Sequence, residues 1–287
     1  MGGSADVLTS PPAQAVIGDP ESLAKKKAAI RDLGPAKLQV IADFDGTLTR
    51  YWIDGCRGQT SHGLLQQSDP VYDAKRQALY EYYHPLEWDK THSLLIEGGL
   101  TYNDIQKSVS NANIAFRNGV VELFEFLEEK GVPVLVFSAG LADIIEEVFR
   151  QKLHRSFKNI KIVSNRMVFD NGRLVAFKGK TIHVLNKNEH ALDMAAPVHE
   201  QLGEGNGSNG DNMSVKKRTN VLLLGDHTGD LGMSDGLNYE NRIAIGFLNN
   251  NVEESLKTYS EAFDVVFTND GSMHGVLQLV SQLCSDT

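Results

Sequence analysis

The sequence predicts an α/β fold on a mainly parallel sheet, with a small helical insert after its first core strand. Three observations carry this expectation. Apolar, β-branched runs at residues 38–42, 132–137, 221–224, 242–247 and 265–268 alternate with amphipathic helical stretches, the pattern of a parallel sheet joined by helical crossovers. Reactive side chains recur just past the carboxyl ends of these runs, where open α/β sheets bind ligands. Residues 71–113 carry helical spacing and many aromatics but few strand signals, so they interrupt the alternation.

Residues 1–18 are rich in Gly, Ser, Pro and Ala, without the basic start and apolar centre of a signal peptide. Asp6 stands where a myristoylation signal wants Ser or Thr. A disordered tail is expected there. Asp19-Pro20-Glu21 is a helix start and Gly34-Pro35 a stop, which places one helix before the first core strand.

Asp43 and Asp45 follow that strand two residues apart, so both carboxylates can point into one volume. Like charges so close persist only where a cation or a shared proton compensates them. The pair suits a carboxylate nucleophile beside a general acid/base, bridged to a phosphate by Mg²⁺. Two exposed aspartates at a strand-to-turn corner are the plainer reading. Yet the string Asp-x-Asp-Gly followed by Thr or Val arises by chance in about one chain of this length in a hundred, and its place after a buried strand favours chemistry.

Residues 50–70, with three glycines and several Ser, Thr and Gln, read as an irregular exit from the core. The helical stretch that follows breaks at Gly98-Gly99 and restarts with Thr101 as N-cap. A helix from Val120 ends at Gly131, and a strand at 132–137 and a helix at 141–153 follow. Residues 161–177 read as two strands about Asn171-Gly172, a hairpin turn signal. A helix is expected at 188–202, then a flexible loop at 203–216, two strands, a helix at 252–261, a strand and a last helix. The expected organisation is a tail at 1–18, a core from 19–50 and 118–287, and a helical insert at 51–117.

Three further spots fall at strand ends. Ser138 precedes Ala139-Gly140 and a helix, a phosphate cradle or equally a serine N-cap. Lys187 precedes the helix expected at 188–202; it could neutralise phosphate charge, although a lone lysine is usually a solvated surface group. Asp226 and Asp230 follow the strand at 221–224, where Asp226 suits an Mg²⁺ site and Asp230 a ligand or its hydrogen-bonded partner. A turn with a capping aspartate is the alternative. His227 and the other eight histidines show no metal-ligand spacing.

A formal net charge of −9 excludes a nucleic-acid polymer bound through a basic surface. Cys56 and Cys284 offer neither a disulfide framework nor a zinc spacing, which favours a reducing compartment. No apolar run is long enough to span a membrane.

The order Asp-x-Asp, Ser, Lys, Gly-Asp-x-x-Gly-Asp resembles the haloacid dehalogenase superfamily of phosphatases. The segments from Ser138 to Val148, Val163 to Phe169, Phe177 to Lys180, His183 to Lys187 and Leu223 to Gly236 are similar to the cytosolic 5'-nucleotidase III family, whose members act on pyrimidine nucleotides or 7-methylguanosine phosphate. The resemblance implies a haloacid-dehalogenase-like Rossmannoid core with an inserted helical cap. It makes Asp43 the nucleophile and Asp45 the acid/base. Ser138, Ala139 and Lys187 would bind phosphate, and Asp43, Asp45 through its backbone carbonyl and Asp226 would hold Mg²⁺, with Asp230 as a further ligand or a hydrogen-bonded partner. Tyr82 to Glu87 resembles the cap segment that contacts the base, so Glu87 and Thr91 are the candidates there. The family carries about one more helix before Lys90-Thr91-His92, so the cap is expected to be shortened. The implied activity is a cytoplasmic, monomeric 5'-nucleotidase with phosphotransfer as a side activity. A phosphatase for another phosphomonoester such as phosphoserine, and a catalytically silent nucleotide-binding protein, are the alternatives.

Overall fold

Five consecutive residues, Leu38–Ala42, are buried on both faces and form the central strand β2. Leu38, Val40 and Ala42 enter one apolar layer and Ile41 the other, as alternation along a strand dictates. A strand covered on both sides must read as a continuous apolar run, which this one does apart from Gln39, whose side chain donates to the Arg218 carbonyl at 2.9 Å. The computed structural model describes residues 14–66, 70–72, 74–75, 78, 88–183, 186–187, 218–235 and 237–285.

Among the described residues the main sheet has eight strands in the order β1-β10-β9-β8-β2-β5-β6-β7. They are β1 Ala15–Ile17, β2, β5 Val134–Leu141, β6 Ile160–Asp170, β7 Arg173–Lys178, β8 Asn220–Gly225, β9 Asn241–Leu248 and β10 Val265–Thr268. All neighbours are parallel except the two edges, β1 on β10 and β7 on β6. The chain runs outward from β2 through β5 and β6, then returns to the other flank of β2 with β8 and continues to β9 and β10. The crevice between these two arms, at the carboxyl end of β2, is the topological switch point of the sheet.

Helices cover both faces. On one side lie α1 Pro20–Leu33, α4 Val120–Glu129, α5 Ala142–Lys152 and α7 His274–Leu283; on the other lies α6 Val252–Ala262. The expected start and stop of α1 are both realised. Asp19 accepts the N–H groups of Glu21 and Ser22 at 3.0 and 2.9 Å, and Gly34 ends the helix with φ 73°.

Between β2 and β5 the chain makes a small hairpin, β3 Trp52–Ile53 with β4 Cys56–Arg57, where an irregular exit was expected. Residues 70–72, 74–75 and 78 are helical, and the helices α2 Trp88–Glu97 and α3 Tyr102–Asn111 follow. Thr101 caps α3 in a reciprocal box with Asp104. Leu64, Leu65, Leu95, Leu100, Ile105 and Val109 join the apolar cluster that contains Val40 and Ala42. The two ends of this insert meet at its neck, where Arg50 N–H donates to the Ala115 carbonyl at 2.9 Å and Arg117 N–H to the Leu48 carbonyl at 2.8 Å.

Three expectations are corrected. Ala15–Ile17, assigned to the tail, form the edge strand β1, because Val265–Phe267 offers them an open edge. The strand expected at 132–137 starts at Val134 and runs on to Leu141, so Ser138 lies within β5 and is not the N-cap of α5, a position held by Leu141. His227, given no role, caps the turn Thr228–Ser234 by accepting the Gly229 N–H at 3.0 Å. The remaining tail, the helix expected at 188–202 and the loop expected at 203–216 lie outside the described residues. Among the described residues, no helix is long and apolar enough to cross a membrane.

Candidate active site

The site starts from the turn that ends β2. After Asp43 the chain swings through a wide helical turn, Phe44–Leu48, with Gly46 at φ 77°. A Cβ on Gly46 would lie 2.4 Å from Asp226 Oδ2, so glycine is required both by the backbone angle and by the approach of that carboxylate. Arg117 clamps the turn from below. Its guanidinium donates to the carbonyls of Gly46, Thr47 and Gly271 at 2.6, 2.9 and 2.7 Å, and pairs with Asp270 at 2.9 Å. Phe247 lies beneath it, 4.3 Å from ring centroid to Cζ. Asn249 adds a second donor to the Gly46 carbonyl at 2.9 Å.

Asp43, Asp226 and Asp230 converge in the switch-point crevice, each offering a carboxylate oxygen within 4.8 Å of the others. Lys187 joins them, its ammonium donating to Asp43 Oδ1 at 2.5 Å and Asp230 Oδ1 at 2.8 Å. Asp230 is also held by the His227 N–H at 3.0 Å. Burial pushes the Asp43 carboxyl up to about 7, with Lys187 opposing and Asp230 reinforcing the rise. Burial also raises Asp226 well above the carboxylate range, and the charges of Asp43 and Asp230 add to it. Burial disfavours the Lys187 charge, but Asp230 and Asp43 outweigh it and hold the ammonium protonated. Three carboxylates against one ammonium leave excess negative charge, and the donors are all hard oxygens. With the room that Gly46 leaves for Asp226, these residues fit a hard divalent cation.

Asp45 stands apart from that group. Its two oxygens accept from Ser61, Oδ1 from the backbone N–H at 2.6 Å and Oδ2 from the hydroxyl at 2.5 Å. Burial raises its pKa to about 6, and the Ser61 bonds limit the rise. Ser138 sits in a bulge of β5. Between the pairs Phe137–Val163 and Leu141–Asn165, four steps on β5 face two on β6. Its Oγ accepts the Gly140 N–H at 3.0 Å. Asn165 donates to the carbonyls of Ala139, at 2.8 Å, and Ile182, at 2.8 Å, tying the bulge to the segment that leads to Lys187.

The structure therefore brings Asp43, Asp226, Asp230 and Lys187 together, with Asp45 two residues along the same turn. Thr91 is buried in α2, whose next residue His92 stacks on Phe177 of β7 at 3.8 Å between ring centroids. Glu87 lies outside the described residues. Sequence reasoning missed Ser61, Arg117 and Asn165. Ser61 falls in a stretch read as irregular, and Arg117 closes an apolar run; no local pattern marks either.

Comparisons with known proteins show which family the chain belongs to. The family model of the pyrimidine 5'-nucleotidases (UMPH-1) matches residues 46–284. The 7-methylguanosine phosphate-specific 5'-nucleotidase of Gallus gallus is 35% identical over 289 residues, covering 92% of this chain and 95% of that protein. The Homo sapiens enzyme of the same name is 34% identical over 298 residues, covering 95% and 94%. Among solved structures, cytosolic 5'-nucleotidase IIIB bound to cytidine superposes with a TM-score of 0.75 at 27% identity, covering 94% of this chain and 93% of that one. An apo phosphoserine phosphatase, with a TM-score of 0.51 at 18% identity, shares the fold, covering 84% of this chain and 98% of its own. The fold is thus the haloacid-dehalogenase-like one that the order of motifs implied. With the match extending over most of the chain, this protein belongs to the pyrimidine 5'-nucleotidase (UMPH-1) family.

Proposed function

We propose that this chain is a Mg²⁺-dependent 5'-nucleotidase in which Asp43 is the nucleophile and Asp45 the acid/base. The observation that carries the reading is the convergence of Asp43, Lys187, Asp226 and Asp230 in the switch-point crevice, with Asp45 on the same turn. Mg²⁺ would be held by Asp43, the backbone carbonyl of Asp45, Asp226 and Asp230; bound there it supplies charge neutralisation between a carboxylate nucleophile and a phosphate dianion. Lys187 and the Ser138 hydroxyl hold phosphate oxygens, with Ala139 lining the same bulge.

An Asp43 oxygen bonds to phosphorus while the bond from phosphorus to the 5'-oxygen breaks, and Asp45 gives its proton to that oxygen. Asp45 then takes a proton from the water that attacks the aspartyl-phosphate, releasing phosphate and restoring Asp43. The pKa near 6 suits Asp45 to both roles. A nucleoside in place of water makes the second step a phosphotransfer.

The substrates are nucleoside 5'-monophosphates, pyrimidine or 7-methylguanosine, as the names of the relatives suggest. Residues 51–117 serve as a short cap on the core, with Glu87 and Thr91 toward the base, and broader selectivity than in longer-capped relatives. A cytosolic location fits the relatives' description as cytosolic.

A panel of CMP, UMP, 7-methyl-GMP, phosphoserine and p-nitrophenyl phosphate at fixed Mg²⁺ tests the reading. Phosphate release is expected from at least one nucleotide in preference to phosphoserine. Asp43→Asn should lower it by more than about 10²-fold. Undiminished turnover by that variant, or preference for phosphoserine, overturns the assignment.

A further inference from the structure

We infer that Ser61 is a positioning residue that aims the Asp45 carboxyl at the leaving oxygen, an inference that rests on the acid/base role proposed above. Ser61 is fully buried, and its backbone N–H and its hydroxyl each hold one Asp45 oxygen, at 2.6 and 2.5 Å. One donor on each oxygen fixes the plane of the carboxyl group, because rotation about the Cβ–Cγ bond would break both bonds together. Each oxygen retains a second lone pair, and one of these carries the proton that Asp45 transfers.

The local chain is built to present these donors. Thr60 opens a single turn in which its Oγ accepts the Gly63 N–H at 3.0 Å and its carbonyl accepts the Leu64 N–H at 3.0 Å. The first N–H groups of such a turn have no acceptor within it, so that of Ser61 is available to Asp45. Leu64 and Leu65 anchor the turn in the apolar core. Opposite it, a Cβ on Gly140 would lie 2.1 Å from Ser61 Oγ and 3.2 Å from Ser138 Oγ. The bulge that carries Ser138 is therefore cleared of side chain where the Ser61 hydroxyl sits.

In the first step a bond forms between Asp43 and phosphorus, the bond from phosphorus to the ester oxygen breaks, and the Asp45 proton passes to that oxygen. Asp45 is left ionised, accepting from Ser61 at both oxygens. An alkoxide such as a nucleoside 5'-oxygen needs that proton; p-nitrophenolate leaves without it. Ser61→Ala keeps the N–H and removes the hydroxyl. It should lower kcat/KM for a nucleoside 5'-monophosphate by about 10- to 100-fold, a fraction of what a general acid contributes. The value for p-nitrophenyl phosphate should stay within about threefold. In an Asp45→Asn background the same change should cost nothing further, because Ser61 acts through Asp45.

Equal losses on both esters, no loss on the nucleotide, or an additive loss in the Asp45→Asn background overturns the inference. If Ser61→Ala loses the native circular dichroism spectrum, Ser61→Cys, with a weaker donor at the same place, is read by the same ratio. A parent protein that cleaves simple alkyl and aryl phosphates but no nucleotide overturns the nucleotidase reading alone. The role of Ser61 is then decided by the alkyl-to-aryl ratio.

Discussion

At the scale of single residues, buried charge governs what this site can do. Arg117 is buried beneath the turn Phe44–Leu48, and burial lowers its pKa to about 10, which still leaves it charged near neutrality. Arg117→Ala would take the buried cation from Asp270, leaving it the Tyr51 and Trp52 N–H groups and Arg50, and would remove the guanidinium donors to the Thr47 and Gly271 carbonyls, so a loss of about 3–5 kcal/mol in unfolding free energy is expected from urea titration. Arg117→Lys should recover only part of it, since an ammonium lacks the fork that reaches several acceptors at once. The carboxyls predict a pH dependence as well. Asp43 and Asp45 rise from 3.8 to about 7 and about 6, so the folded chain keeps protons that the unfolded chain has lost. Their contribution is full below the unfolded value and is lost as pH rises through the folded ones. In EDTA the urea midpoint should therefore fall between about pH 4 and about pH 7, and excess Mg²⁺ should flatten that fall by favouring the ionised forms. A metal-free midpoint that rises over this interval contradicts the arrangement. Asp43, Asp45, Asp226 and Asp230 are legible in the sequence because strand ends are readable from apolar runs, whereas Lys187, well past the end of β7, is singled out by the order of motifs alone. Ser61 and Arg117 are not legible, because they act on partners 16 and about 70 residues away through contacts that leave no local pattern.

At the scale of elements, what was legible is what is specified locally. Asp19 and Gly34 bound α1, Asn171-Gly172 turns β6 into β7, and Thr101 starts α3, each through bonds within four residues. The edge strand β1 and the continuation of β5 through Ser138 were not legible. β1 depends on β10 at the far end of the chain, and the bulge depends on Asn165 and Ser164 of β6, whose side chains take up the carbonyls it exposes. The insert shows the same division. Its helices follow from periodicity, whereas their docking does not: the Leu174 N–H reaches the Leu100 carbonyl at 2.8 Å, and Gln151 of α5 donates to the Gln106 carbonyl at 3.0 Å. Thr101→Ala removes half of the capping box, and a loss of about 0.5–2 kcal/mol is expected. Because α3 is packed on the core, that loss should lower the global urea midpoint. A shift confined to a separate early transition would show that the insert folds by itself.

At the scale of the whole molecule, the site exists only where the two arms of the sheet meet. β2 brings Asp43, β8 brings Asp226 and Asp230, and the chain beyond β7 brings Lys187, so no arm holds the constellation alone. The aspartate motifs follow the parallel strands β2 and β8, whose ends lie on one edge of the sheet, whereas Ser138 lies within β5 and Lys187 comes after the antiparallel β7. A cation bound there should consequently stabilise the entire fold. With one apolar cluster spanning the insert and the sheet, Mg²⁺ should raise the midpoint of a single thermal transition. At a hundred times its dissociation constant it should contribute about 2.7 kcal/mol. Activity should vanish in EDTA and return with Mg²⁺, whereas Ca²⁺ should restore it poorly, because its larger and looser coordination does not hold the phosphate in line with Asp43. Asp226→Ala removes one of the three converging carboxylates, and should raise the Mg²⁺ concentration needed for half-maximal activity by about tenfold or more. The two readouts must move together. If Asp226→Ala abolishes activity but leaves the Mg²⁺-induced rise in melting temperature unchanged, the cation binds elsewhere and the acidic cluster is not its site.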